Sequence, residues 1–490
     1  MKLSQQHLAD LPASMISPTY DRLVCRAGIL HIGVGGFHRA HQAIYTEALL
    51  NQGLALHWGI CGAGVRESDR AMKEALESQD YLYTLIELGA TNEVKMQVVG
   101  VITEFILAQD SVDAFIQRLS DPDIRIVSLT VTEGGYFTDD TTGKFKDQDP
   151  DILADLAQPD APKTLVGLLC QGLKRRMQAG IPPFTVMSCD NLPHNGDVAR
   201  KAVLGYASLL DTQLMNWIAD NVTFPNGMVD RITPMTSQAH KQQLFDSTGV
   251  EDVWPVVAEP FLQWVVEDKF CNGRPEWEVV GVQFTQDVTP YETMKIGLLN
   301  GSHLAMTFLG TLLGYEFAHQ TMEDEDLRRF VENYMDHDVT PLLAEVPGIN
   351  LTEYKQTLIE RFSNPAICDQ LTRICSDAAA KFPKFVFPTL RGLIAENKPL
   401  ERVALIVAAW THYLHGKNEL GQTYPILDPK LAILQRAIAQ PETCVTQMLE
   451  IYDIFGDDLP SSNTFVEAYQ TQLSRLQTQG VRATLKQLIG

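Results

Sequence analysis

Along the first third of the chain, apolar runs of strand length alternate with stretches of helical period: "GILHIGVGGFHRAHQAIYTEALL", "LHWGICGAGV" and then "IRIVSLTVTEGGYF". This alternation predicts a parallel sheet covered by helices. A further apolar run in "PFTVMSCDNLPHNG" gives way to polar and turn residues, as expected where a strand delivers side chains to a cleft at the carboxyl edge of a sheet. Asn191 sits at that strand end. After "EWEVVGVQFTQDVTPYE" the texture changes to long segments of helical period with few strand-like runs. The change predicts an α/β, doubly wound domain over residues 1–283 and a mainly α-helical domain over 284–490, with the cleft between them as the expected ligand site. Pro290 suits the first turn of a helix, and the breaks "EVPGINL" and "KFPKFVFPTL" read as connections between later helices. No repeat period is evident.

In "MKIGLLNGSHLAM", from Met294 to Met306, a lysine, an asparagine and a histidine interrupt an apolar helical pattern. At about 100° per residue, Glu292, His303 and Asn300 fall roughly 60°, 80° and 140° from Lys295, on one arc of an α-helix. Buried polar groups without partners cost a few kcal/mol each, so these four must meet partners, water or a substrate. Gly297 and Gly301 cost helix propensity and open room for close packing.

Composition narrows the function classes. The chain has 490 residues, 45% hydrophobic and 20% charged, enough to bury more than one core. Its 39 basic and 61 acidic residues give a formal charge of −22, which disfavours nucleic acid and anionic membrane surfaces as partners. "MKLSQQHLAD" lacks the apolar stretch of a signal peptide, and the run "VALIVAAW" is too short to span a bilayer, so a cytoplasmic location is expected. Eight cysteines without a C-x-x-C pair read as reduced thiols.

Chemistry enters first at "ILHIGVGGFHRAH", where a strand runs into Gly33, Gly35 and Gly36 and then a helical pattern. Glycines there permit a tight turn and a close approach of backbone N–H groups to a pyrophosphate, as in a Rossmann-like domain, although His38 stands where the third glycine of G-x-G-x-x-G would be. A plain strand-to-helix turn remains the alternative. In "GVRESDR", Glu67 or Asp69 would bind a ribose diol, while Arg66 and Arg70 would accept a 2′-phosphate. Tyr291 and Lys295 match a Y-x-x-x-K spacing, but the chain is too long for the short-chain dehydrogenases that use it. The H-x-x-H pairs His38/His41 and His412/His415 lack accompanying metal ligands, so no metal is expected.

Lys295, Asn300 and His303 form a K-x-x-x-x-N-x-x-H pattern that resembles the polyol-specific long-chain dehydrogenases. "HIGVGGFHRAHQA", "VSLTVTEGGYF", "FTVMSCDNLPHNG", "MVDRITPMTS", "EPFLQWVVEDKF", "GRPEWE", "KIGLLNGSHLA", "KQTLIERFSN" and "SDAAAKFPKF" are similar to blocks of that family, in family order over nearly the whole chain. The closest resemblance is to members that interconvert D-mannitol and D-fructose with a nicotinamide cofactor and no metal.

The resemblance implies Lys295 as general base, Asn191 and Asn300 as donors to a developing alkoxide, His303 as the substrate-orienting group and Glu292 as a proton relay. It implies Asp230, Arg373 and Lys381 as partners of substrate hydroxyls, and Gly33, Gly35, Phe37, Asp69, Thr132 and Glu133 as cofactor contacts. NAD is the expected cofactor, with NADP possible because Ser68 stands where close relatives often carry an acidic residue. The partner is a small polyol or ketose, and a monomer is expected. The competing activities are reduction of fructuronate or tagaturonate and dehydrogenation of arabinitol or sorbitol; a nicotinamide-binding redox sensor is the alternative outside enzymes.

Overall fold

The apolar runs of the first third become strands β1 (Ala27–Ile32), β2 (Gly59–Gly64), β3 (Ile102–Leu107), β4 (Ile126–Leu129) and β5 (Thr185–Ser188). All pair in parallel, in the order β3-β2-β1-β4-β5. The computed structural model describes residues 1–91, 93–139 and 143–489, and the chain divides into two units, Met1–Val288 and Thr289–Gly490.

Strand side chains alternate between the two faces of the first unit's sheet. Leu30 and Ile32 of β1 join one apolar cluster with residues of helix α3 (Leu165–Ala179) and helix α4 (Asn195–Leu210), while Ile29 joins a second with residues of helix α2 (Gln42–Asn51). All six β1 residues are buried, which explains why the strand reads as a nearly continuous apolar run. The chain leaves β1 through the glycine turn into a five-residue helix, α1 (Gly36–Ala40), bends at His41 and continues as α2. Strand order reverses between β1 and β4, so the carboxyl edge at that point is the expected crevice.

Two smaller sheets complete this unit. Met15–Ile16, Val94–Val99, Tyr83–Leu88 and Val256–Ala258 form one, with Tyr83–Leu88 and Val94–Val99 antiparallel. Strands β6 (Gly227–Asp230), β7 (Gln263–Glu267) and β8 (Gln283–Thr285) form the other. Gln283, the expected last residue of the domain, instead begins β8, which pairs with β7, and the unit runs on to Val288.

The second unit is helical, and its described residues form no strand beyond isolated bridges. Its first helix is built in three parts: α5 (Thr289–Lys295), a π-helical turn (Ile296–Asn300) and α6 (Gly301–Leu313). By length and composition Thr289–Leu313 passes for a membrane span, with a mean hydropathy of 1.3, but 78% of its apolar window is buried in the protein, as in a core helix. Helices α7 (Leu371–Cys375), α8 (Ala378–Phe385) and α9 (Glu401–Tyr413) pack around it. The stretch Val403–Trp410 of α9 is 0% exposed throughout, which accounts for its uninterrupted apolar sequence. Helix α10 (Asn463–Lys486), bent at Gly480, covers α9.

Candidate active site

In the first unit a cavity of about 470 Å³ opens at the carboxyl edge of β1, β2 and β4. Gly33 lines it with φ +94°, and a Cβ there would stand 2.1 Å from the Thr130 carbonyl oxygen, so only glycine fits the turn. Asp69 lines it beyond β2, where its Oδ2 accepts the Val65 and Arg66 N–H groups at 2.9 and 3.0 Å. Gly64 is required for that approach, because a Cβ would lie 2.5 Å from the Asp69 Cβ.

Of the two basic residues flanking Asp69, Arg70 is held by Glu67 and by Asp110 at 2.7 Å. Arg66 lines the cavity and makes no ion pair among the described residues. Thr132 lines the cavity in a strained backbone conformation, φ 63°. Gly35, Phe37 and Glu133 are not lining residues. Gly35 donates its N–H to the Gly33 carbonyl at 2.7 Å, Phe37 stacks on His41 with ring centroids 4.9 Å apart, and Glu133 is exposed between the lining residues Thr132 and Gly134.

Asp190, which is not among the candidate residues named above, organises this loop. Its carboxylate accepts the Val131 N–H at 3.1 Å, the Thr132 N–H at 2.9 Å and the Tyr136 hydroxyl at 2.6 Å. Burial raises the Asp190 pKa against the lowering effect of those donors. Its neighbour Asn191 is exposed just beyond β5. Buried Asn195 donates to the carbonyls of Asp190 and Gly227 and accepts the Gly227 N–H, so the segment carrying Asn191 is tied to β6, at whose end Asp230 is 4% exposed. Only Asp190's short apolar-to-polar neighbourhood at a strand end signalled a role in the sequence.

In the second unit Glu292 and Lys295 of α5 are each 6% exposed. The expected single α-helical wheel is corrected beyond Lys295: the π turn follows, closed by the Gly301 N–H on the Ile296 carbonyl. Asn300 ends that turn and His303 lies in the first turn of α6, so their angular positions are shifted from the α-helical ones. Glycines permit the packing there. A Cβ on Gly297 would lie 2.6 Å from Val339 Cγ1, and one on Gly301 would lie 2.4 Å from the Tyr334 hydroxyl oxygen. Val339 and Tyr334 belong to a second π-helical segment, Tyr334–Val339.

Asn300 Oδ1 has no hydrogen-bond partner among the described residues. The His303 ring packs on Phe362 with centroids 4.6 Å apart. Tyr291, one turn ahead of Lys295, donates its hydroxyl to the Pro347 carbonyl at 2.8 Å. Arg373 on α7 pairs with Asp369 through bonds of 2.8 and 2.7 Å, and Lys381 on α8 donates to the Ile374 carbonyl at 3.0 Å. Burial, then the nearby Arg373 charge, lowers the Lys381 pKa. The structure thus gathers Glu292, Lys295, Asn300 and His303 on one helix, and Arg373 with Lys381 on two helices packed against it.

Residues 27–279 match the mannitol dehydrogenase Rossmann domain and residues 287–477 the mannitol dehydrogenase C-terminal domain. The chain is 43% identical to a mannitol 2-dehydrogenase of Neosartorya fischeri over 499 aligned positions, covering 100% of this chain and 99% of that protein. It is 55% identical to the Pseudomonas fluorescens mannitol 2-dehydrogenase, solved as a ternary complex with NAD and D-mannitol, with a TM-score of 0.92 over 100% of this chain and 99% of that one. A D-sorbitol dehydrogenase solved in substrate-free form is 38% identical, with a TM-score of 0.90 over 99% of this chain and 100% of that one. Two domain matches in the expected order and full-length likeness place the chain in the mannitol dehydrogenase family.

Proposed function

We propose that the protein catalyses the NAD-dependent, metal-independent interconversion of D-mannitol and D-fructose, with Lys295 as general base. The observation that carries this reading is the grouping of Glu292, Lys295, Asn300 and His303 on one largely buried helix, in a chain 55% identical over its full length to an enzyme solved with NAD and D-mannitol.

The first unit's cavity suits a dinucleotide. It lies at the switch point of a doubly wound sheet, its turn excludes any Cβ at Gly33, and a carboxylate, Asp69, stands beyond the second strand. Arg66 on the same cavity favours tolerance of a 2′-phosphate, which makes NADP the second cofactor to test. When bound, the nicotinamide supplies the hydride acceptor.

Oxidation removes a hydride from C2 and a proton from the C2 hydroxyl, leaving a ketone. Lys295, neutral before the step, takes that proton, and Glu292 one turn earlier passes it toward solvent. The carboxamides of Asn191 and Asn300 donate to the oxygen as negative charge develops on it. His303, steadied by Phe362, orients the reacting hydroxyl. Asp230, Arg373 and Lys381 bind the other hydroxyls of the polyol, which separates a sugar alcohol from a plain alcohol.

Lys295→Ala tests the assignment. Mannitol oxidation is expected to fall about 10²–10⁴-fold while NADH binding, followed by its fluorescence, persists. Turnover unchanged in that variant overturns the role of Lys295. Faster oxidation of D-sorbitol or D-arabinitol than of D-mannitol by the unmodified protein would reassign the substrate.

A further inference from the structure

Beneath the glycine turn lies a chain of buried polar groups that the catalytic reading does not use. Gln42, at the start of α2, meets Ser128 Oγ of β4 at 2.9 Å, and Ser128 Oγ meets His31 Nδ1 at 2.8 Å. His31 Nε2 meets Thr130 Oγ1 at 3.0 Å, and Thr130 donates its hydroxyl to the Gly33 carbonyl at 2.6 Å. Gln42, His31 and Ser128 are at most 1% exposed, and the His38 ring stacks on His31 at 3.3 Å.

The protons in this chain can be counted. With the Gln42 oxygen facing Ser128, the serine proton goes to the amide and the threonine proton to the Gly33 carbonyl. His31 would then need a proton on both nitrogens, or leave one lone pair against another. A fully buried imidazole is neutral, and burial drives the His31 pKa down to about 3. Turning the amide over removes the conflict and also partners Gln42 Nε2, which otherwise has none among the described residues. Donation then runs one way: Gln42 Nε2–H to Ser128, Ser128 to His31 Nδ1, His31 Nε2–H to Thr130, and Thr130 to the Gly33 carbonyl.

We propose that Thr130 and His31 are positioning residues for the cofactor, their hydroxyl–imidazole pair holding the Gly33 carbonyl and with it the turn that lines the dinucleotide cavity. The inference rests on reading that cavity as the cofactor site. Gly33 and Thr130 both line it, so a shift of either changes its walls directly. The Gly33 carbonyl also receives the Gly35 N–H at 2.7 Å and lies 3.3 Å from His31 Nε2, so the turn is bonded within itself, two residues on, and to β4's exit together.

Thr130→Val keeps the shape and removes the hydroxyl, whereas Thr130→Ser keeps the hydroxyl. For Thr130→Val, Kd for NADH and KM for NAD are expected to rise about three- to tenfold, the worth of one hydrogen bond. At saturating cofactor kcat should stay within about twofold of the unmodified value, and Thr130→Ser should restore tight binding. Unchanged cofactor affinity in Thr130→Val, or equal losses in both variants, overturns the proposal. In the cofactor-free protein, 15N shifts of labelled histidine should show His31 neutral and protonated on Nε2; protonation on Nδ1 overturns it equally. Failure of the unmodified protein to bind NADH would instead refute the cofactor reading itself, while the tautomer measurement still decides the hydrogen-bond chain.

Discussion

Gly301→Ala tests the packing against the end of the π turn. The added Cβ would sit 2.4 Å from the Tyr334 hydroxyl oxygen, 3.3 Å from Tyr334 Cε1 and 3.2 Å from the Phe385 carbonyl oxygen. The first contact is about 0.6 Å inside the 3.0 Å that real Cβ atoms respect, and Tyr334 is 0% exposed, with no solvent side to move into. Overpacking of this kind costs about 1–3 kcal/mol, and the depth of this clash places it near 3. Gly301 has helical dihedrals, φ −62° and ψ −44°, so alanine recovers about 1 kcal/mol of helix propensity there. The net loss is therefore about 2 kcal/mol. At roughly 2–4 °C per kcal/mol for a unit of this size, the thermal transition should fall by about 4–8 °C.

Tyr334→Phe removes the clashing oxygen and nothing else. In that background Gly301→Ala should cost at least about 1 kcal/mol less than it does alone, a coupling measurable in a double-mutant cycle. The relief required of the backbone falls on the turn that ends at Asn300, so Gly301→Ala should also slow turnover more than it weakens cofactor binding. Melting that is unchanged in Gly301→Ala, or strictly additive effects of the two substitutions, would refute the claim that this contact shapes the turn.

Two further outcomes follow from groups in the first unit. Glu47 is fully buried, accepts the Tyr20 hydroxyl at 2.7 Å and the Gly100 N–H at 3.0 Å, and has its pKa raised by burial to about 7. The folded state thus holds a proton that the unfolded chain releases near pH 4.5; the stabilisation is complete below that pH and is lost as pH rises through 7, up to about 3 kcal/mol. Glu47→Gln should match the parent near pH 4.5 and melt several degrees higher at pH 8, and parallel curves at both pH values would disprove it. Asp190→Asn replaces one accepting oxygen by an amide facing N–H or O–H donors, so a loss of about 2 kcal/mol in stability is expected. KM for NAD should rise with it, because the displaced loop carries Thr132; unaltered KM would separate Asp190 from the cofactor site.

The sequence was most readable where one local rule decides the structure. β1 is buried on both faces and followed by a turn that tolerates no Cβ at Gly33, so its apolar run and that glycine point to the same element. The helical half was legible from its period, and Pro290 lies in the first turn of α5. Less visible were features decided by distant partners. Val256–Ala258 pairs with Tyr83–Leu88 across about 170 residues, and no local pattern announces that pairing. The π turn has ordinary helical sequence on both sides, and the side chains that lie against its two glycines, Val339 and Tyr334, come from more than 30 residues further along the chain. Asp190 and His31 act through hydrogen bonds to residues far along the chain, so their chemistry is hidden until the fold brings Thr132 and Thr130 beside them.

The apolar character of Thr289–Leu313 also bears on how the protein is made. During synthesis this segment leaves the ribosome before the helices that will cover it, Leu371–Cys375 and Glu401–Tyr413. The roughly 100 residues between Leu313 and Tyr413 take about 5–20 s to translate at typical rates. For that interval the nascent chain displays a greasy rod that resembles a signal for membrane insertion. Its yield in a foreign host will depend on chaperone capacity and on temperature more than the stability of the finished enzyme suggests.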